Sequence, residues 1–262
     1  MEHLSKLAAA ALLACCAASS AQYQIGERSF SIPGGGGGTT NHARAFNGSS
    51  GNLQSAASLA ALSGLGSVSI SFWMNWTSFS NNDALAFESS SNYNGNAGAF
   101  LIQPNSSSTG AFDFNESDGS GTGTTYLDCH FARPSAGAWH QYVLTWNGAV
   151  GTCTAYVDGV LQTVTIQPGV HTNFSAQTLN VMSRNGGSLF GAGSMSEIAI
   201  YSGTVNALDA SGLAGCARAT SVTSATLLYY WQINQVSPET PTTGSVNLTV
   251  NGTTNVASHC SF

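Results

Sequence analysis

The sequence predicts an all-β fold, a two-sheet antiparallel β-sandwich or jelly roll. Three observations carry that prediction. Charged residues make up only 7% of the 262 residues, against about 25% in an average soluble domain. Gly, Ser, Thr and Asn fill their place, and all four are poor helix-interior residues. From Ala43 onward, short apolar or alternating segments follow one another with Gly, Ser and Asn turn signals between them, the spacing expected of a sandwich or barrel.

The chain begins "MEHLSKLAAAALLACCAASSAQ". Lys6 precedes an apolar run over residues 7–18, which is too short to cross a bilayer. Ser19 and Ala21 are small residues at positions −3 and −1 of a cleavage after Ala21. Residues 1–21 are therefore expected to be a secretory signal peptide. Residues 22–42 contain five consecutive glycines, 34 to 38, and read as a flexible arm. Residues 43–262 form one domain with no internal repeat. An alternative for the leader is "LLAC" at residues 12–15, which resembles a bacterial lipobox and would leave Cys15 lipidated and the chain anchored. Leu13 is atypical for that motif.

Within the domain, "VSISFWMNW" (68–76) puts Val68, Ile70, Phe72 and Met74 on one face, and Ser69, Ser71 and Trp73 on the other. The segments "AGAFLIQP", "GAFDFN", "TTYLDCHFA", "TLNVMSR", "SMSEIAIYSG", "TLLYYWQIN" and "VNLTVNG" read as further strands. In "WHQYVLTWNGAVGTCTAYVDGV" (139–160), Trp139, Tyr142, Leu144 and Trp146 lie on one strand, and Asn147-Gly148 supplies a positive-φ turn. The chain returns through Cys153, Ala155 and Val157 on one face and Thr154 and Tyr156 on the other. Asp158-Gly159 makes the next hairpin. Two stretches, "LQSAASLAALSGL" and "VNALDASGLAGCA", are expected to be short helices.

Export sets the redox compartment. Of the six cysteines, Cys15 and Cys16 leave with the leader, and Cys129, Cys153, Cys216 and Cys260 remain. An even number in an exported chain reads as two disulfides. Three connectivities are open; Cys129–Cys153 with Cys216–Cys260 closes the shorter loops. A metal site on these cysteines is disfavoured, because there is no CxxC and no His at ligand spacing. The net charge of −6, with six Lys and Arg in all, argues against nucleic acid or an anionic membrane surface as partner. No transmembrane segment is expected.

"WHQYVLTWNG" resembles the W-H-x-x-x-x-T-W-[DN]-G strand of laminin-G-like, concanavalin-A-like jelly rolls, and "TAYVDG" resembles the hairpin that follows it. "AFNGSSGNLQS" is similar to the family's F-D-G opening, with Asn47 where Asp is usual. "SVSISFWMNW" and "GSMSEIAIYSGTVNALDASGL" resemble two further strands, the latter with Ser196 in place of Asp. The resemblance covers residues 43–213. It implies a domain that binds glycans, extracellular-matrix proteins or other surface ligands, often beside a calcium ion at a loop rim. Asn47 and Ser196 weaken any acidic site of the family type. Fold alone does not name a function.

The same fold hosts glucanases whose paired carboxylates follow E-x-D-x-x-E on one strand, and glycoside hydrolysis needs two carboxylates roughly 5–9.5 Å apart. Among the twelve acids here, only Glu116 and Asp118 stand at i, i+2, in a Gly/Ser-rich segment, and Glu197 is isolated. "DFNESDGSG" (113–121) gathers Asp113, Asn115, Glu116 and Asp118, hard oxygen donors suited to Ca²⁺; it also reads as a solvated acidic turn. Trp76, Phe79 and Tyr93 are read as loop aromatics that either stack on sugars or pack locally. His140 has no evident nucleophile or orienting carboxylate in the sequence and reads as a rim hydrogen-bonder; Asp158 and Asn147 read as turn formers. Sequons stand at Asn47, Asn75, Asn105, Asn115, Asn173, Asn247 and Asn251. The expected function is a secreted or surface-displayed, non-enzymatic module for carbohydrate binding or cell adhesion, recognising a glycan or an extracellular protein. The alternative is a structural subunit of an extracellular layer or appendage, with a glycoside hydrolase behind both.

Overall fold

The computed structural model describes residues 42–79, 82–90, 92–121, 125–148, 150–168 and 173–260. The expected leader, Cys15 and nearly all of the glycine-rich arm lie outside them. The described strands are β1 (Ala43–Asn47), β2 (Asn52–Ser55), β3 (Ser67–Trp76), β4 (Phe87–Glu88), β5 (Phe100–Gln103), β6 (Phe112–Ser117), β7 (Thr125–Phe131), β8 (Trp139–Asn147), β9 (Thr152–Val157), β10 (Val160–Leu161), β11 (Thr165–Pro168), β12 (Asn180–Val181), β13 (Ala192–Ser202), β14 (Thr226–Trp231), β15 (Leu248–Asn251) and β16 (Thr254–Val256), with one α-helix, α1 (Ala207–Ala214). They form two antiparallel eight-stranded sheets. Sheet A runs β10-β9-β8-β3-β13-β1-β16, with β14 also on β13, and sheet B runs β11-β7-β6-β5-β4-β12-β2-β15.

Strand alternation builds the core. Val68, Ile70, Phe72, Met74 and Trp76 of β3 meet Phe87, Phe100, Phe112, Phe114 and Leu127 of sheet B. The rings interlock: Phe112 stacks on Tyr142 at 5.0 Å, and Phe114 meets Trp146 edge-on at 5.5 Å. The fully buried Trp146 donates its indole N–H to the Phe114 carbonyl across the sandwich at 3.2 Å, so the ring joins both sheets by packing and by one hydrogen bond. Cys129 of β7 and Cys153 of β9 link the same two sheets covalently, and Cys216 after α1 is joined to Cys260.

Two local expectations change. The stretch "LQSAASLAALSGL" begins as β2 and holds only a 3₁₀ turn, Ala60–Leu62. Leu53 pairs between Val181 and Val250 in sheet B while Leu59 and Leu62 plug the core, so these leucines are recruited one by one rather than as a helical stripe. The turn after β8 is longer than two residues, and among its described residues Gly151 takes the positive φ (64°). The Asp158-Gly159 hairpin has both residues at positive φ, 51° and 75°. The second expected helix forms as α1, capped by the Asn206 side chain, which accepts from the Asp209 N–H at 2.9 Å.

Strand β13 changes partner along its length. Its first half pairs with β1 and its second with β14, and the register against β3 shifts between Ser196 and Ala199. Glu197 occupies this bulge at φ 53°, a left-handed conformation that such residues seldom adopt. Its buried carboxylate accepts from the Tyr230 hydroxyl. Burial pushes the Glu197 carboxyl up to about 7, while Tyr230 and Arg218 pull the other way. At the far end, the buried Arg44 guanidinium pairs with Glu239 at 2.6 Å and donates to the Val236 carbonyl, Thr253 and Asn255. This pair ties residues 236–255 to β1.

Two outcomes test this account. Replacing Cys129 and Cys153 together with Ala should cost about 3 kcal/mol and lower Tm by roughly 6–12 °C, read by calorimetry without reductant. The Glu197 carboxyl is raised on folding, so the native state keeps a proton that the unfolded chain releases between its ordinary value of 4.5 and about 7. Stability should therefore fall as pH rises through that window. Glu197→Gln should remove on the order of 2 kcal/mol of that decline, measured by urea melts at pH 5 and pH 7.5.

Candidate functional site on the outer face of sheet B

The two sheets differ in what covers their outer faces. On sheet A, α1 and the following segment close over Val143, Ala199, Tyr201 and Tyr230. On sheet B the residues out of phase with the core are mostly polar. The register sets Thr249, Gln54, Asn180 and Glu88 side by side across β15, β2, β12 and β4. Across β5, β6 and β7 the same row continues through Leu101, Asn115 and Asp128.

Glu88 anchors this face. It is fully buried, and its carboxylate accepts from Arg184 Nε at 2.7 Å and from the Tyr93 N–H at 3.3 Å. Burial raises its pKa, and the Arg184 guanidinium pulls it back. The two contacts draw residues 92–98 and 183–189 down onto the sheet. Tyr93 then packs with Leu85, Ala99 and Leu101, and Leu189 closes over them. This apolar ridge divides the face in two.

On one side lies a cavity of ≈ 260 Å³ lined by Gln54, Ser55, Thr178, Asn180, Asn185, Thr249 and Asn251. Asn180 is a fixed wall: its Nδ2 donates to the Ser90 carbonyl at 2.8 Å and its Oδ1 accepts from Gln54 Nε2 at 3.1 Å. Asn251 Nδ2 is held by Asn52 Oδ1 at 3.0 Å. These bonds fix the orientation of the amides. Among the described residues, the Asn185 amide and the Thr178 and Thr249 hydroxyls make no hydrogen bond. Gly186 (φ +65°) lets the 183–189 turn come close, since a Cβ there would stand 2.9 Å from Gln54 Nε2. The lining is uncharged and offers both donors and acceptors.

On the other side, Asp113 stands opposite His130, and Asn115 opposite Asp128. Asp113 accepts from Thr109 Oγ1 at 2.6 Å and is raised by burial. His130 Nδ1 lies 3.9 Å from Asp128 Oδ1.

The sequence-predicted residues are placed differently from expectation. The segment "DFNES" is a buried strand, neither a flexible calcium loop nor a solvated turn. Alternation sends Asp113 and Asn115 to the outer face and Glu116 to the side of Phe112 and Phe114. Burial pushes the Glu116 carboxyl up to about 8. Asp118 lies beyond the strand, where its Oδ1 accepts from the Ser120 N–H at 2.8 Å. Among the described residues no three His, Cys, Asp or Glu side chains gather to hold a metal. Trp76 is 3% exposed within the core and Tyr93 is 4% exposed under the ridge, so neither presents a ring face to a ligand. Phe79 is half-buried with the Arg133 guanidinium 4.7 Å above its ring. Of the sequon asparagines, Asn105 and Asn115 are buried. Sequence reading missed Gln54, Asn180, Asn185, Thr249 and Asn251, which come from strands and turns far apart in the chain. The polar members of alternating strands were the available signal.

Residues 47–211 match the model of the concanavalin A-like lectin/glucanases superfamily. The chain belongs to that superfamily. No curated protein matches this concanavalin A-like chain. A candidate carbohydrate-binding protein from Bacteroides ovatus ATCC 8483 superposes on it with a TM-score of 0.60 at 17% identity, over 83% of this chain and 60% of that one. This chain therefore spans under two thirds of that protein. A heptameric SAP-like pentraxin from Limulus polyphemus gives 0.49 at 14% identity, covering 79% and 94%. Domain 4 of an extracellular arabinanase from Geobacillus stearothermophilus, solved with arabinotriose, gives 0.48 at 19%, covering 66% and 76%. At these identities the likeness is one of fold. No described helix of this concanavalin A-like chain is long and apolar enough to cross a membrane.

Because the oxygen donors of residues 113–118 diverge onto two faces and a turn, adding calcium should leave Tm within about 1 °C of its value in chelator. A bound ion would raise it by mass action.

Proposed function

We propose that this concanavalin A-like chain is an exported module that recognises a neutral glycan at the amide-lined cavity of sheet B, by binding without turnover at that face. One observation carries the reading: the cavity is built from side-chain amides and hydroxyls with no charge in its lining. Sugar hydroxyls donate and accept at once, and so do amides and hydroxyls. At ≈ 260 Å³ the cavity lies just below the usual range of ligand pockets, about 300–1,000 Å³, which suits one terminal residue of a chain rather than a long segment. The two disulfides support an oxidising compartment. The structural likeness to a candidate carbohydrate-binding protein is consistent with it.

A second reading, assembly into an extracellular layer, has its own support. Edge strand β10 exposes Val160 and Leu161 at 63% and 62%, and Leu208 on α1 is 80% exposed. Exposed apolar edge strands invite pairing.

A glycan array on the purified chain separates the two. Binding to neutral glycans should weaken about tenfold in Asn185→Gly, which suits the φ of 49° there, and in Thr249→Val, the loss of one hydrogen bond each, with Tm nearly unchanged. A silent array with concentration-dependent self-association, relieved by Leu161→Lys, would favour assembly instead.

A further inference from the structure

Away from the sheet B face, at one rim of the sandwich, three side chains stand in line. His140 Nδ1 lies 2.7 Å from Asp158 Oδ2, and His140 Nε2 lies 3.5 Å from the Ser135 hydroxyl. We propose that Ser135, His140 and Asp158 form a nucleophile–base–carboxylate relay that hydrolyses short-chain carboxylic esters.

The geometry sets each role. A carboxylate only accepts, so the bond to Asp158 fixes the proton on His140 Nδ1 and leaves the Nε2 lone pair facing Ser135. That is the tautomer a general base needs. Asp158 is itself held: its Oδ1 accepts from the Gln141 N–H at 2.8 Å, and its own N–H donates to the Gln141 carbonyl at 2.8 Å. The carboxylate cannot swing away from the imidazole without opening the hairpin. The Asp158 side chain is 46% exposed and that of His140 only 17%, so the imidazole is shielded by the rim while its reactive edge meets Ser135. Ser135 is exposed in the 132–138 turn before β8. Its separation from Nε2 is that of a resting pair, which shortens when an acyl group is seated.

The step balances without any cofactor. Ser135 Oγ bonds to the ester carbonyl carbon as His140 Nε2 takes the hydroxyl proton. The bond to the alcohol oxygen breaks, and His140 returns the proton to that oxygen. Water then bonds to the acyl carbon as the same Nε2 takes its proton, the bond from that carbon to Ser135 Oγ breaks, and Nε2 returns the proton to Oγ, freeing the acid and restoring Ser135. Net, one ester and one water give one acid and one alcohol. The N–H of Ala136, the residue after the nucleophile, makes no hydrogen bond among the described residues and is the donor for the transient oxyanion. The 132–138 segment around Ser135 is exposed or half-buried throughout, which favours a small acyl group such as acetyl. The three residues lie within one turn, one strand and one hairpin, so a rigid local unit holds them.

The test uses the full chain with p-nitrophenyl acetate for turnover and a fluorophosphonate probe read by peptide mass spectrometry. Ser135 should carry the adduct, and Ser135→Ala should lose at least about 100-fold of turnover with an unchanged melt, since Ser135 is exposed. Asp158→Asn should slow labelling of Ser135 by a similar factor by releasing the wrong tautomer. Glycan binding at sheet B should be the same in Ser135→Ala, which keeps the two readings separable. An unlabelled Ser135 in the folded chain, or turnover in Ser135→Ala equal to the parent's, overturns the proposal.

Discussion

The interlocked rings between the sheets set every other position in the molecule. Phe72, Phe100, Phe112, Phe114, Tyr142 and Trp146 fill one layer, and each claims the inward parity of its strand. Every alternate residue must then face away. On sheet A the outward set meets a second cover, so it includes Ala199 and Tyr201. On sheet B no α-helix lies over it among the described residues, so the outward set is mostly polar: Gln54, Asn180, Glu88 and Thr249. The polar surface is thus a geometric consequence of the apolar one.

A face of this kind needs an anchor, because polar side chains on a sheet do not hold loops by themselves. Glu88 supplies it. A carboxylate without solvent is costly unless it is paired and hydrogen-bonded. The bonds from Arg184 and the Tyr93 N–H meet that requirement and fix the loops on either side of the ridge. The cavity wall at Asn185 follows from where Arg184 must sit. The cavity and the stability of this face are therefore coupled through one buried acid.

How much of this could be read in the chain differs by level. The strand at 68–76 was legible residue by residue, because apolar and polar positions alternate, broken only at Trp73. So was the hairpin ending in Asp158-Gly159. The strand in "GAFDFN" was legible too, through its Phe112-x-Phe114 alternation, and β6 bears it out; the reading that failed is the acidic loop, because flanking Gly and Ser disguised Glu116 and Ser117 as a turn. Trp76 and Tyr93 read in the sequence as loop aromatics, yet burial is decided by what lies across the sandwich. The cavity was beyond sequence reading, since its lining spans residues 54 to 251 and only strand order brings them together. His140 was read without its neighbours, although Ser135 and Asp158 are close by in the chain; a turn-forming Asp can also orient an imidazole, and only coordinates tell the two roles apart.

The Arg44–Glu239 pair has a wider implication. It docks the segment 236–255 onto the first strand, and that segment lies after the stretch matching the superfamily, residues 47–211. Thr249 and Asn251, the far side of the cavity, belong to it. One jamb of the cavity thus hangs on a guanidinium–carboxylate latch at the first strand, so whatever loosens that latch reshapes the doorway while the ring-filled wall behind it stands.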